Sequence, residues 1–185
     1  AQAGAVAPHA FTQQVVEPNL PGLKVTTSFG FDGCGNLSSI STAGTSPNGA
    51  AMPVRTASFD YGSRCQLLES ATNAAAETTT YAWRYDFGAA TRTTDPNGLS
   101  TTWSHDEFGR RISETAADGT RKSWAYESCG TTGCWGPGEL RFLVYERNYA
   151  ADGAPIREHH SYYDSYERPR QQDYHGALGA WLHRM

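Results

Sequence analysis

Between Tyr85 and Glu127 short runs of Thr, Ser, Arg and Trp are interrupted at regular intervals. The interruptions read Tyr85-Asp86-Phe87-Gly88, Asp95-Pro96-Asn97-Gly98, His105-Asp106-Glu107-Phe108-Gly109-Arg110, Asp118-Gly119 and Tyr126-Glu127. The aromatic-acid pair returns after 20 residues, from Asp86 to Asp106, and again after 21, from Asp106 to Glu127. A near-constant period of this length marks a repeat architecture in which each unit is one small supersecondary element.

The residue types say which element. Asn-Gly and Asp-Gly favour two-residue hairpin turns whose central residues need positive φ, which glycine takes freely and Asn or Asp tolerate. Such turns are expected at Asn97-Gly98, Asp118-Gly119 and Asp152-Gly153. Thr, Tyr and Trp between them suit a pleated, half-buried surface. In the aromatic-Asp-x-x-Gly-Arg corner the carboxylate can fold back on nearby backbone N–H groups while glycine takes the strained position. The expected fold is all-β: a repetitive antiparallel hairpin meander, with no segment carrying a sustained helical period.

These motifs resemble the YD repeat of Rhs proteins, a group that includes bacterial polymorphic toxins, shell components of insecticidal toxin complexes and animal teneurins. The fullest unit is His105-Asp106-Glu107-Phe108-Gly109-Arg110. Looser copies are Phe31-Asp32-Gly33-Cys34-Gly35-Asn36, Phe59-Asp60-Tyr61-Gly62-Ser63-Arg64, Tyr85-Asp86-Phe87-Gly88 and Tyr163-Asp164-Ser165-Tyr166-Glu167-Arg168. Two departures stand out: Glu167 occupies a glycine position, and the Asp86 unit is shortened and lacks its Arg. The resemblance runs from about Val25 to Tyr174. It implies a segment of a larger curved β-shell that encloses or presents a toxin or other C-terminal domain, in an exported bacterial protein, secreted or at the cell surface. It makes Asp32, Asp60, Asp86, Asp106, Gly109, Arg110 and Asp164 structural repeat corners. The partners it implies are the remainder of a longer chain and that chain's toxin domain. The competing reading is a cell-surface module that contacts glycan or a partner protein through exposed aromatic and Arg side chains.

Composition fits a thin sheet. Leu, Ile, Val and Phe make up only 26 of 185 residues, and 10 Tyr with 5 Trp supply apolar area of another kind. A net charge of −4 gives no electrostatic reason to expect nucleic acid. No run is long and apolar enough for a transmembrane helix.

Along the chain, residues 1–22 read as a linker or irregular leading segment, 23–175 as the repeat sheet, and 176–185 as a tail or the start of a further unit. The chain starts at Ala1, without an initiator Met, and reads as processed or as a piece of something longer. Val15 and Val16 can join the first strand before Pro18 interrupts it. Val54–Asp60 and Gln66–Thr72 read as a second hairpin, and Asn73–Glu77 as one helical turn. Around Asp152-Gly153, a two-residue loop would set Arg147 opposite Glu158, Glu146 opposite His159, Leu143 opposite Tyr162 and Tyr149 opposite Ile156. Such pairs stabilise a sheet by about 0.2–1 kcal/mol each.

The remaining chemistry is sparse. Four cysteines allow two disulfides or a zinc site. The five-residue step from Cys129 to Cys134 is wider than a zinc knuckle and leaves a disulfide or free thiols, while Cys34 and Cys65 sit in corners and read as small buried residues. His159 and His160 are adjacent on a strand, so they face opposite ways and cannot share an ion without a bulge. Asp95-Pro96-Asn97-Gly98-Leu99 is similar to a segment tied to self-cleavage in Rhs shells, but a hairpin turn accounts for every residue. No nucleophile motif is present; no catalytic residue, cofactor or metal is expected.

Overall fold

A computed structural model describes residues 11–20, 22–129, 140–176 and 181–184. The chain falls into two units, residues 1–83 with 93–98, and residues 84–92 with 99–185. Both are antiparallel meanders. The first holds β1 (Gln13–Val16), β2 (Val25–Phe31), β3 (Leu37–Gly44), β4 (Arg55–Asp60), β5 (Ser70–Thr72) and β6 (Thr78–Arg84), each strand beside the next. The second runs through β7 (Ala89–Thr94), β8 (Ser100–His105), β9 (Arg111–Thr115), β10 (Arg121–Ser128), β11 (Leu140–Tyr149), β12 (Pro155–Asp164), β13 (Pro169–Gly176) and β14 (Trp181–Arg184) in the same order. Among the described residues there is no helix.

One turn recurs in both units. In its full form the first residue's N–H donates to the carbonyl of the fifth, and the fourth residue's N–H donates to the carbonyl of the first. The pattern holds at Asp32–Asn36, Ser46–Ala50, Asn73–Glu77, Asp106–Arg110, Ala116–Thr120, Ala150–Ala154 and Asp164–Arg168. The fourth residue takes positive φ each time: Gly35, Gly49, Ala76, Gly109, Gly119, Gly153 and Glu167. This is the three-residue hairpin loop, a turn closed by one left-handed residue, and not the two-residue loop expected from Asp-Gly. Asp118 and Asp152 stay at negative φ because only the glycine after each must cross over. Asn73–Glu77, expected as a helical turn, is another copy.

The extra loop residue shifts the pairing, and a bulge shifts it back. Next to the Ala150–Ala154 turn, Tyr149 lies opposite Pro155, not Ile156. A register shift between Asn148 and Tyr149 then restores Arg147 opposite Glu158, Glu146 opposite His159 and Leu143 opposite Tyr162. The expected pairing therefore holds through the strand body and fails at its mouth. A second correction is the strand read over Gln66–Thr72, which shortens to Ser70–Thr72. Positive φ at Gly62 and Cys65 carries the preceding chain out of the sheet, and the Trp83 indole N–H donates to the Leu68 carbonyl at 2.6 Å. Tyr126-Glu127 lies inside β10, with Glu127 paired to Leu143, and so falls in extended strand.

The core is thin. Among the described residues the buried apolar side chains are Leu140, Leu143 and Tyr162, on facing positions of β11 and β12, with Cys129 and Tyr145 packed against them. Tyr162 is 5% exposed; burial and the adjacent Asp173 carboxylate push its hydroxyl up to about 12.

Candidate functional site: the carboxylate corners

Within each unit the meander sends successive turns to alternate ends of the sheet, so the aspartate corners collect at one end. Asp32 and Asp60 do so in the first unit; Asp86, Asp106 and Asp164 do so in the second. In three of them the carboxylate closes the turn from inside. One oxygen of Asp32 accepts the N–H groups of Cys34 and Asn36, both at 2.8 Å. Asp106 accepts those of Phe108 and Arg110, both at 2.9 Å. Asp164 accepts those of Tyr166 and Arg168 at 2.8 and 3.1 Å. The second oxygen takes the side chain of the fifth residue: Asn36 at 3.1 Å, Arg110 at 2.7 Å and Arg168 at 2.9 Å. Every lone pair used this way satisfies a donor that the tight turn takes out of the ladder.

The other two corners depart from this form, one lengthened and one shortened. Asp60 caps the N–H of Gly62 at 2.9 Å, and its loop continues to Glu69 before pairing resumes. Asp86 lacks the Arg four residues on and instead takes Arg84 Nε at 3.0 Å. Each of the five carboxylates thus finds these partners inside or beside its own corner.

Electrostatics follow the geometry. Burial pulls the Asp164 carboxyl upward, but Arg168, the Tyr166 and Arg168 N–H groups and Arg170 outweigh it and hold it well below the usual carboxylate range. Asp106 is held low by Arg110 and the turn N–H groups against the same opposing effect of burial, and Asp32 by Asn36 and its own turn. All three are ionised acceptors over the physiological range.

Corners also touch one another. In the second unit Arg84 donates to the carbonyls of His105 and Asp106 at 3.3 and 3.2 Å, and the Phe87 ring lies against Gly109. Arg110 stacks over Phe108 and Tyr126, 5.1 and 4.4 Å from their centroids, and Arg168 over Tyr166 at 5.0 Å. Phe108 and Tyr166, at the turn tips, are 78% and 76% exposed.

In the first unit the link is covalent. Cys34 is bonded to Cys65, with Cα atoms 6.1 Å apart, so these two are not the separate buried thiols expected from the sequence. Nothing in their spacing announces the bond; successive corners of a meander stack side by side, and that brings residues 31 apart together. Asn36 Nδ2 adds a hydrogen bond to the Cys65 carbonyl at 2.9 Å. Cys129 is disulfide-bonded, and Cys134, its candidate partner, lies outside the described residues.

The histidines separate as strand geometry requires. His159 stacks on Tyr174 at 4.3 Å, and burial lowers its pKa. His160 meets Tyr145 edge-on at 4.5 Å and bonds Glu158, which also holds Arg147 at 2.7 Å. Asp95-Pro96-Asn97-Gly98 is a hairpin turn: Asp95 accepts the Asn97 N–H on its carboxylate and the Gly98 N–H on its carbonyl, at 2.9 and 3.0 Å.

Comparison with known proteins agrees with these corners. The family model described as RHS Repeat matches residues 85–121, the span from the contracted Asp86 corner through the full Asp106 corner to the Ala116–Thr120 turn. No curated protein matches the chain. Residues 85–121 of this chain thus match the RHS Repeat family, and the corner geometry there is that of the matched repeat.

Proposed function

We propose that the chain is wall material: a non-catalytic segment of an RHS/YD-repeat β-shell that encloses or presents a C-terminal toxin or other domain of a longer, exported protein. The observation that carries this reading is the engagement of the corner carboxylates. Asp106 and Asp164 each accept two turn N–H groups and an Arg from their own corner. A carboxylate so occupied supports a turn and has little capacity left for general acid or base work, which needs a reachable group with a pKa near the working pH. A meander in which each strand covers the last one's edge suits a wall that extends by repetition. The disulfide between Cys34 and Cys65 fits an exported protein.

The test is protease protection of the C-terminal domain in the full-length parent. An enclosed domain resists digestion until corner substitutions open the wall, whereas a domain digested equally in wild type and corner variants contradicts enclosure. A second reading, a surface binding module for glycan or protein, rests on the exposed Phe108 and Tyr166 rings backed by Arg110 and Arg168. Loss of cell binding in a Phe108→Ala, Tyr166→Ala chain of unchanged stability would favour it.

A further inference from the structure

The first-unit corner holds more chemistry than a turn needs. A carboxylate oxygen of Asp32 and the sulfurs of Cys34 and Cys65 all lie within 4.8 Å of one another. Asp32 and Cys34 come from one turn and Cys65 from the next corner, so two loops supply the three atoms. Asn36 Nδ2 donates both to Asp32 Oδ2, at 3.1 Å, and to the Cys65 carbonyl, at 2.9 Å, which ties the carboxylate to the loop carrying the second sulfur. Gly33 and Gly35 flank Cys34, and a Cβ on either would meet nothing within 4 Å, so the corner is open beside the sulfur. Cys34 is exposed.

We infer that Asp32, Cys34 and Cys65 form a redox-gated site for a thiophilic divalent cation, closed while the sulfurs are bonded to each other and available once they are reduced. The inference is independent of the wall reading. Reduction by a dithiol of the thioredoxin class breaks the S–S bond: two electrons and two protons pass to the cysteines, and the dithiol leaves as its own disulfide. Zinc binding then releases two protons as both thiols become thiolates. Two thiolates and one carboxylate give the three protein ligands of an open tetrahedral site, with water in the fourth position. Around such an ion, with Zn–S bonds of about 2.3 Å, the sulfurs part to roughly 3.8 Å, a small motion for exposed loops. Asn36, hydrogen-bonded to Asp32, is the outer partner that keeps a ligating carboxylate oriented.

The experiment uses the full chain reduced with a phosphine, with and without Zn2+. Alkylation of each cysteine is followed by peptide mass spectrometry, so Cys129 and Cys134 are read separately. Zn2+ is expected to slow alkylation of Cys34 and Cys65 by at least about tenfold, and Asp32→Asn, which can keep the turn, is expected to lose at least about tenfold of that protection. Co2+ on the reduced wild type should give the absorption of a tetrahedral thiolate site, a readout that stands even where Asp32→Asn fails to fold. Alkylation rates unchanged by Zn2+, protection equal in wild type and a folded Asp32→Asn chain, or an octahedral Co2+ spectrum would each overturn the inference.

Discussion

Phe87 fills the space above Gly109: a Cβ on Gly109 would come within 2.9 Å of Phe87 Cγ and 3.1 Å of Phe87 Cβ. One repeat's contracted corner thereby packs on the next one's full corner, and glycine is required there twice over, by this contact and by a φ of +78°.

Gly109→Val is therefore expected to destabilise the chain by more than about 2 kcal/mol, combining left-handed strain of roughly 1–2 kcal/mol with overpacking of roughly 1–3 kcal/mol. Phe87→Ala should recover the overpacking part in a double-mutant cycle and leave the backbone part. Denaturant unfolding of the four chains measures both.

The opposite substitution should help where the repeat departs from its pattern. Glu167 and Ala76 hold φ of +59° and +63° at the turn position that glycine fills elsewhere. Glu167→Gly and Ala76→Gly should each stabilise by about 0.5 kcal/mol, because relief of left-handed strain exceeds the added freedom of the unfolded chain. A rise in Tm for both variants checks this.

Acid should unfold the chain through its corners. Asp32, Asp106 and Asp164 have carboxyls held below their unfolded values. Their contribution is complete above the unfolded pKa of about 3.9 and is lost as pH falls through the lower folded values. His159, also depressed, works in an earlier window: the unfolded chain takes up its proton first, so stability slips as pH drops below about 6.5. Tm measured from pH 7 to pH 2 should show a shallow decline and then a steep one. Asp164→Asn should flatten the steep part more than Asp106→Asn, since Asp164 is 2% exposed and bonded to two Arg side chains.

Reducing the Cys34–Cys65 bond, which closes a separation of 31 residues, should cost roughly 3–4 kcal/mol through the freedom returned to the unfolded chain. A Cys34→Ser, Cys65→Ser chain compared with wild type by denaturant midpoint, both unreduced, gives the value directly.

How far the sequence could be read depended on range. Strand alternation and turn positions are local, and Asp118-Gly119 and Asp152-Gly153 mark their hairpins correctly. Turn type is less local: nothing in Asp-Gly says whether Asp also crosses to positive φ, and here it stays negative. The pairing of Arg147 with Glu158 was still legible because a bulge at Asn148 and Tyr149 absorbs the extra loop residue. Glu167 shows a corner surviving without glycine, held by Asp164 with Arg168 and Arg170. The Cys34–Cys65 bond was not legible, since it depends on which corners stack, a property of the assembled sheet.

The most direct test of carboxylates as turn supports compares Asp106→Asn with Gly109→Val in the full-length parent, measuring Tm and retention of the C-terminal domain together. Asn can make much the same turn, so Asp106→Asn should be mild in both measurements, whereas Gly109→Val should lower Tm and release the domain in parallel. An Asp106→Asn protein that keeps its Tm yet loses all function would contradict the wall reading and make Asp106 a chemical participant.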